Sequence, residues 1–274
     1  MATSSYPDLS QIRIGFVGVG NMAQAIIDGW MKGDVIKPGQ LMASAPSDRN
    51  LKVVKEKGIQ TTHDNCEVVR SCDVVILACK PYHIAQVSEE IRSEVTGSKL
   101  VLSLLAAVTI PKLEAGLPSG TRVLRAMPNV ASAVQEGCTM LVRGSNVTEA
   151  DVALTRDLFS PIGLVEEGTD ALCNVGGAYG GAIAYMAIVL ESMSDGAVKM
   201  GMQRHMATRM AAQIMMGTGK MQLETGLHPG QIKDSVCSPN GTTIRGVHAM
   251  EQGGVRGALM EAMEVSVKRA EEIS

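Results

Sequence analysis

The chain has 274 residues, 45% of them hydrophobic, and a formal net charge of −3. This length predicts one large domain or two smaller ones, and the near-neutral charge argues against a nucleic-acid partner or an acidic membrane surface. The six cysteines have no paired spacing, which argues against a disulfide framework or a zinc site and favours a reducing compartment.

The first ten residues contain no basic residue and no apolar core, so we expect neither a secretory signal nor a typical transit peptide there. No apolar run reaches the roughly 18 residues of a membrane span. We therefore expect a cytoplasmic protein without a membrane partner.

Short apolar runs alternate with amphipathic segments through residues 1–168, and this alternation predicts a doubly wound, mostly parallel α/β sheet. The predicted strands are residues 13–17, 40–44, 74–79, 100–104, 122–126, 139–142 and 164–167. The predicted helices between them are residues 22–32, 50–57, 82–91, 110–117 and 148–159.

From residue 169 to residue 274 the pattern predicts helices alone, at residues 178–202, 205–224, 242–252 and 255–273. Met206, Met210, Ile214 and Met221 recur near helical spacing, which is typical of a core or of a subunit interface. A helical domain with so few aromatic residues needs a partner to bury its faces, so we expect a homo-oligomer. The predicted domains are therefore 1–168 and 169–274.

The first predicted strand runs directly into Gly18-x-Gly20-x-x-Ala23, which opens a helix. Gly18 permits a tight turn, Gly20 lets a pyrophosphate approach the backbone, and Ala23 allows close packing of helix and strand. The N–H groups of Asn21 and Met22 would then face the phosphates. The pattern predicts a Rossmann-type dinucleotide site, and the alternative is a plain strand–turn–helix.

The second predicted strand should select the cofactor, because an acidic residue at its end usually binds the ribose 2′-hydroxyl of NAD. Here the strand ends at Ser44, with Ser47 and Arg49 in the following loop. Hydroxyls and a guanidinium suit a 2′-phosphate, which favours NADPH over NADH. Asp48 lies in the same loop and complicates this preference, although it could instead cap the next helix.

A tight turn precedes a helix start in the run Asp234-Ser-Val-Cys-Ser-Pro-Asn-Gly-Thr-Thr-Ile244. Free N–H groups at such a start bind anions such as a carboxylate. The run resembles the signature of the pyrroline-5-carboxylate reductases, Asp-x-Val-x-Ser-Pro-Gly-Gly-Thr-Thr-Ile, and departs from it only at Asn240.

The resemblance spans nearly the whole chain and includes Lys80-Pro81 and Met127-Pro128-Asn129. One clear departure is residues 179–185, which read Tyr-Gly-Gly-Ala-Ile-Ala-Tyr where the family usually has Ser-Gly-Ser-Gly-Pro-Ala-Tyr. Because the family's serines there lie near nicotinamide and substrate, this departure bears on catalytic efficiency.

The resemblance implies an N-terminal Rossmann domain and an all-α C-terminal domain that interlocks into dimers and larger homo-oligomers. It implies reduction of L-1-pyrroline-5-carboxylate to L-proline by hydride transfer from NADPH, or from NADH, in the last step of proline biosynthesis. By resemblance Thr243 hydrogen-bonds the ring nitrogen, and the substrate-binding residues are Asn240, Gly241, Thr242 and Thr243. From the residues alone, the two threonines could equally form a helix N-cap without substrate contact.

The resemblance also implies further cofactor contacts at three strand ends. They are Asn65 on the adenosine side, Ala78, Cys79, Lys80 and Pro81 near the ribose, and Leu105, Ala106 and Ala107 where the family commonly has Ala-Ala-Gly. Taken singly, Asn65 could be a helix cap and Lys80 a solvated loop lysine.

Two other functions deserve comparison with this one. A β-hydroxyacid dehydrogenase would carry a lysine in the first long helix of its second domain, and residues 178–190 contain none. A non-catalytic nucleotide-binding relative would explain the altered segment 179–185 and Asn240. The five histidines lack ligand spacing, so we expect no metal.

Overall fold

The computed structural model describes residues 8–273. The first seven of the ten N-terminal residues, for which no targeting signal is expected, lie outside this range. Eight strands form one sheet in the order β3-β2-β1-β4-β5-β6-β7-β8. The strands are β1 (Ile14–Val17), β2 (Leu41–Ser44), β3 (Gln60–Thr62), β4 (Val74–Leu77), β5 (Leu100–Ser103), β6 (Arg122–Met127), β7 (Gly137–Arg143) and β8 (Gly163–Glu167).

All neighbouring strands are parallel except β6 and β7, which are antiparallel. The chain winds outward from β1 through β2 and β3, then returns to place β4 on the other side of β1. This confirms the predicted doubly wound, mostly parallel sheet. The strand order reverses between β1 and β4, and the carboxyl ends of strands at such a point form the usual ligand site of this fold.

Six helices connect these strands and cover both faces of the sheet. They are α1 (Asn21–Lys32), α2 (Asp48–Lys55), α3 (Asn65–Ser71), α4 (Ile84–Ile91), α5 (Ile110–Gly116) and α6 (Glu149–Phe159). Successive side chains of a strand point to opposite faces. In β1, Ile14 and Phe16 accordingly join one buried apolar cluster and Val17 joins the other. The inner strands β1 and β4 are therefore buried along their whole length and have no polar side chain, as expected for a sheet covered on both sides.

The remaining helices are α7 (Cys173–Lys199), α8 (Arg204–Thr225), α9 (Pro229–Ser235), α10 (Thr242–Gln252) and α11 (Val255–Glu272). The chain divides into two compact units, Met1–Gly180 with Val267–Ser274, and Gly181–Ser266. The predicted domain boundary between residues 168 and 169 lies just after β8, and it stays a prediction. By length and composition alone the segment Asp170–Lys199 could cross a membrane, a property that some core helices of soluble proteins share.

Every predicted strand and helix is present, and α10 has the predicted bounds. The prediction missed β3, α3 and α9. Each is short, and β3 consists of the polar residues Gln-Thr-Thr at the edge of the sheet, so its sequence lacks an apolar run. Helix α7 begins earlier than predicted, at Cys173, and ends before Gly201, whose φ of 97° is left-handed.

A cluster around Trp30 anchors α1, the helix that carries the glycine motif at its start. The Trp30 Nε1–H group donates a hydrogen bond of 2.6 Å to the Leu158 carbonyl near the end of α6. Its ring meets Phe159 edge-on, with centroids 6.0 Å apart, and lies 5.9 Å from Phe16. All three aromatic rings are fully buried. The orientation of α1 against the sheet therefore depends on this packing.

We predict that Phe159→Ala lowers the free energy of unfolding by about 3–5 kcal/mol, because it leaves a cavity beside Trp30. Phe159→Leu is the matched control and should cost less than about 2 kcal/mol, because it retains most of the volume. Urea denaturation at a fixed protein concentration measures both, with fluorescence of the single tryptophan as the probe. A loss below about 1 kcal/mol for Phe159→Ala would show that this cluster does not anchor α1.

Candidate active site

The carboxyl ends of β1 and β4 touch at Gly18. This glycine has a φ of 93°, and a Cβ atom there would lie 2.7 Å from the Ala78 carbonyl oxygen and from the Cys79 nitrogen. The Gly18 N–H donates to the Ser44 carbonyl and the Ala78 N–H to the Val17 carbonyl, each at 2.9 Å. The ends of three neighbouring strands are thus tied together at the point where the strand order reverses.

Helix α1 begins beside this contact without a side-chain cap. Its N-cap is Gly20, with φ −74° and ψ −173°, and its first turn contains no acidic residue. Among residues 8–273, no atom beyond Gly20 and its two chain neighbours lies within 4 Å of the position a Cβ would take on Gly20. Asn21 is exposed, whereas Ala23 is fully buried against the sheet. Uncapped N–H groups behind an open glycine can hold a pyrophosphate, so these residues fit a dinucleotide.

The polar residues after β2 divide into an inner and an outer set. Ser44 is fully buried, and its hydroxyl donates a 2.6 Å hydrogen bond to Asn65 Oδ1. Asn65 in turn donates from Nδ2 to Glu90 Oε2 at 2.9 Å. Ser47 and Arg49 are exposed. The Ser44 hydroxyl therefore points to Asn65. Direct contact between Ser44 and a cofactor stays a prediction.

Ser47, and not Asp48, is the N-cap of α2, because this helix begins earlier than predicted. Asp48 is the first helical residue, and its Oδ1 lies 3.1 Å from Nε2 of His63. The carboxylate that complicated the cofactor preference therefore faces a histidine.

The loop after β4 contains the half-buried residues Ala78, Cys79 and Pro81, and the exposed Lys80. Burial raises the pKa of the Cys79 thiol, which leaves this group neutral and poorly nucleophilic at neutral pH.

The loop after β5 exposes Ala106 between Leu105 and Ala107, which are both buried. Ala107 has a φ of 61°, a left-handed conformation that favours glycine, the residue that the family commonly has there.

A buried ion pair supports this loop, and the sequence analysis missed it. Arg125 on β6 is 1% exposed and donates from Nη1 to Asp170 Oδ1 at 2.6 Å and from Nη2 to the Leu105 carbonyl at 3.4 Å. The second oxygen of Asp170 accepts the Ile110 N–H at 3.1 Å. An arginine inside an apolar strand was the available signal, because a buried charge requires a partner.

A β-turn precedes α10. The Gly241 N–H donates to the Ser238 carbonyl at 3.0 Å, and Asn240 has a φ of 56°. Asparagine is one of the few residues other than glycine that adopt this left-handed conformation readily, which explains how it replaces the glycine of the signature. Its Oδ1 also accepts a 2.9 Å hydrogen bond from Arg245 Nη2. A Cβ on Gly241 would lie 2.4 Å from the rotatable Ser238 Oγ and 3.1 Å from the Ser238 carbonyl oxygen, so a larger residue fits tightly there.

Helix α10 starts at Thr242, with Gly241 as an N-cap that has no side chain to donate or accept. The alternative in which a threonine caps this helix is therefore wrong. Thr242 and Thr243 are exposed first-turn residues. The structure thus brings two hydroxyls next to an uncapped helix start, with no acidic residue in the first turn.

Tyr185, which the altered segment shares with the family, has a packing role. Its hydroxyl donates to the Ala262 carbonyl at 3.3 Å and also hydrogen-bonds Ser266 Oγ, so it joins α7 to α11. His228 is the N-cap of α9, and its Nδ1 accepts a hydrogen bond from the Gly230 N–H.

Within residues 8–273, one group of side chains has the spacing of metal ligands. The ligand atoms of Asp64, Cys66 and Glu90 lie within 4.8 Å of one another. Asp64 already accepts the Cys66 N–H and Glu90 the Asn65 amide, so local hydrogen bonds account for the carboxylates. The expected absence of a metal stays a prediction.

Comparison with known proteins gives two family matches. A profile described as pyrroline-5-carboxylate reductase dimerisation matches residues 166–273, and one described as NADP oxidoreductase, coenzyme F420-dependent, matches residues 13–107. Pyrroline-5-carboxylate reductase 3 of Danio rerio is 42% identical over 272 residues, covering 99% of this chain and 94% of that protein. The pyrroline-5-carboxylate reductase of Escherichia coli K12 is 37% identical over 264 residues, covering 96% and 98%.

Solved structures agree with these matches. The Plasmodium falciparum pyrroline carboxylate reductase with NADP bound has a TM-score of 0.87 at 27% identity, and the alignment covers 97% of this chain and 99% of that one. The Coxiella burnetii pyrroline-5-carboxylate reductase has a TM-score of 0.86 at 31% identity with the same coverage.

Substitution of Gly18 should affect mainly stability, whereas substitution of Gly20 should affect mainly cofactor binding. Gly18→Ala should lower the free energy of unfolding by more than about 2 kcal/mol, because its Cβ meets backbone and its φ is left-handed. Gly20→Ala should change it by only about 1 kcal/mol, yet weaken NADPH binding at least roughly tenfold, because its Cβ obstructs the phosphates. Thermal unfolding and NADPH fluorescence titration measure the two effects, with the exposed Gly39→Ala as control. Unchanged affinity in Gly20→Ala would place the pyrophosphate elsewhere.

Proposed function

The chain belongs to the pyrroline-5-carboxylate reductase family, and from this membership we propose how its residues perform the family's reaction. The protein is an oxidoreductase that reduces L-1-pyrroline-5-carboxylate to L-proline with a nicotinamide cofactor, the last step of proline biosynthesis. The β-hydroxyacid dehydrogenase and the non-catalytic relative are thereby set aside. The observation that carries the mechanism is the uncapped start of α10, where two exposed threonines follow the turn at Asn240.

In this proposal the substrate carboxylate binds the N–H groups of Gly241, Thr242 and Thr243. The N–H groups of Thr242 and Thr243 have no intrahelical acceptors, whereas that of Gly241 also donates to the Ser238 carbonyl. The helix start carries a partial positive charge, so an anion is favoured there. The left-handed conformation of Asn240 forms the turn that precedes these N–H groups. Its side-chain oxygen accepts a hydrogen bond from Arg245.

The Thr243 hydroxyl is the proposed catalytic contact. The ring nitrogen of the substrate can bind protonated, and the hydroxyl then accepts a hydrogen bond from it. A protonated imine is already a good electrophile, so the protein needs no strong acid or base there. Its contribution is to fix the distance and orientation of the imine carbon, to which bound NADPH supplies hydride.

The proposed cofactor site follows the carboxyl edge of the sheet. The glycine motif holds the pyrophosphate, Ser47 and Arg49 bind the 2′-phosphate, and Ser44 acts by holding Asn65 on the adenosine side. The proposed remaining contacts are Ala78, Cys79, Lys80 and Pro81 after β4, and Leu105, Ala106 and Ala107 after β5. The support for this arrangement is the convergence of these loops on the reversal point of the strand order.

The protein forms a homo-oligomer, as its dimerisation region indicates. We propose in addition that it dimerises through domain 169–274 and that the dimers assemble further. Helix α8 supports this, because only Ala207 and Ala211 of its side chains are buried, whereas Met206, Met210, Ile214 and Met221 are between 47% and 57% exposed. In the same proposal a partner subunit, and not lipid or nucleic acid, covers α7.

A cytoplasmic location completes the proposal. All six cysteines are unpaired, which fits a reducing compartment.

We predict that Thr243→Ala lowers kcat/KM roughly 10- to 100-fold, the loss expected for a hydrogen bond to a charged group. Thr243→Ser retains a hydroxyl and should stay within about threefold of the parent protein. NADPH oxidation with L-1-pyrroline-5-carboxylate measures the rates, and thermal unfolding checks the fold. Equal rates for the alanine variant and the parent protein would remove Thr243 from the mechanism.

We also predict that Ile214→Glu shifts the protein to a smaller assembly, because a carboxylate in an apolar interface lacks a partner and must be desolvated. Size-exclusion chromatography with light scattering measures the mass. Gln86→Glu, on the exposed face of α4, introduces the same charge outside the helical region and should leave the mass unchanged. A parental mass for Ile214→Glu would exclude this face of α8 from the interface.

A further inference from the structure

His63 lies beside the loop in which the 2′-phosphate is proposed to bind. Strands β2 and β3 are parallel, with Ser44 opposite Thr62 in register. Ala45 follows β2 and His63 follows β3, so both residues leave the sheet at the same edge. This juxtaposition brings a histidine from outside the conventional cofactor loop into contact with that loop.

Both ring nitrogens of His63 face acceptors on the β2–α2 loop. Nδ1 lies 2.8 Å from the Ala45 carbonyl oxygen, and Nε2 lies 3.1 Å from Asp48 Oδ1. A neutral imidazole carries one N–H and can donate to only one of these oxygens, whereas the imidazolium donates to both. The ring therefore contacts the loop through one of these oxygens when it is neutral and through both when it is protonated.

This contact bears on the choice between NADPH and NADH because Asp48 is negatively charged. Without a partner, a carboxylate in this loop would repel a 2′-phosphate and would accept a hydrogen bond from the 2′-hydroxyl of NADH instead. The contact with Nε2 directs the carboxylate towards β3, and a protonated histidine also offsets its charge. Arg49 is then the cation whose charge remains available to the phosphate. The nearby acidic groups Asp64 and Glu67 are paired with Arg70 and Thr62 respectively.

We propose that His63 is a specificity-determining residue, which in its protonated form favours NADPH over NADH by pairing with Asp48 beside the ribose 2′-phosphate. This inference rests on the proposed position of the 2′-phosphate at Ser47 and Arg49. His63 touches neither the nicotinamide nor the substrate, so it acts on the choice of cofactor and not on hydride transfer.

Equilibrium titration of NADPH and NADH, followed by cofactor fluorescence, tests this role without reference to turnover. His63→Ala should raise the Kd for NADPH about tenfold and change the Kd for NADH by no more than about twofold. His63→Gln can still donate to Ala45 but carries no charge, and it should show nearly the same loss. His205→Ala, which removes an exposed histidine at the start of α8, is the control and should change neither Kd.

A second pair of variants separates charge from loop shape. In an Asp48→Asn background, His63→Ala should change the Kd for NADPH by less than about twofold, because no carboxylate is left to neutralise. An undiminished loss in that background, or equal losses for NADPH and NADH, would overturn the proposal and leave His63 with a purely structural role. An unchanged Kd for NADPH in His63→Ala would overturn it as well.

Arg49→Ala distinguishes failure of this inference from failure of the proposed cofactor site. If Arg49→Ala lowers the preference for NADPH and His63→Ala does not, the phosphate site stands and the role of His63 fails. If neither variant alters the preference, the 2′-phosphate binds elsewhere and both proposals fail. Turnover at saturating NADPH should persist in His63→Ala.

Discussion

The contact between Gly18 and the Ala78–Cys79 peptide is the constraint on which the cofactor half depends. It is a contact between two backbones, possible only because no Cβ stands between them and because glycine adopts the left-handed φ that the turn requires. It sets how closely β1 and β4 approach at their carboxyl ends, and thereby where α1 starts. The buried cluster around Trp30 then holds the far end of that helix, so the uncapped N–H groups have a defined direction.

Two helix starts share one design. Helices α1 and α10 are each preceded by a glycine N-cap, Gly20 and Gly241, and neither helix has an acidic residue in its first turn. Relative to glycine, a serine or aspartate at the cap would stabilise each helix by roughly a few tenths of a kcal/mol, but it would also occupy the N–H groups that an anion needs. The chain forgoes that stabilisation at both places. In our proposal the same physical device thus serves a pyrophosphate at one helix and a carboxylate at the other.

The parts of the fold that the sequence predicted are those with strong periodicity. The apolar strands and the long helices satisfy a local pattern, whereas β3 is a polar edge strand whose pairing with β2 is purely tertiary. The site divides similarly. The glycine motif and the turn before Thr242 are readable because their backbone conformations demand particular residues. Arg125 and Asp170 are 45 positions apart, and His63 and Asp48 are 15 positions apart. Local sequence patterns therefore do not predict these two contacts.

The exposed apolar face of α8 has a consequence for how the protein is made. In the proposed assembly, a newly released chain presents Met206, Met210 and Ile214 to solvent until it meets a second copy. Assembly is then the final step of folding, and its rate rises with the concentration of the chain. If subunits in this assembly do not fold alone, melting temperature becomes a function of dilution, because unfolding then also separates the subunits. During slow synthesis the same surface is exposed for longer, which makes it a binding site for chaperones and a route to aggregation.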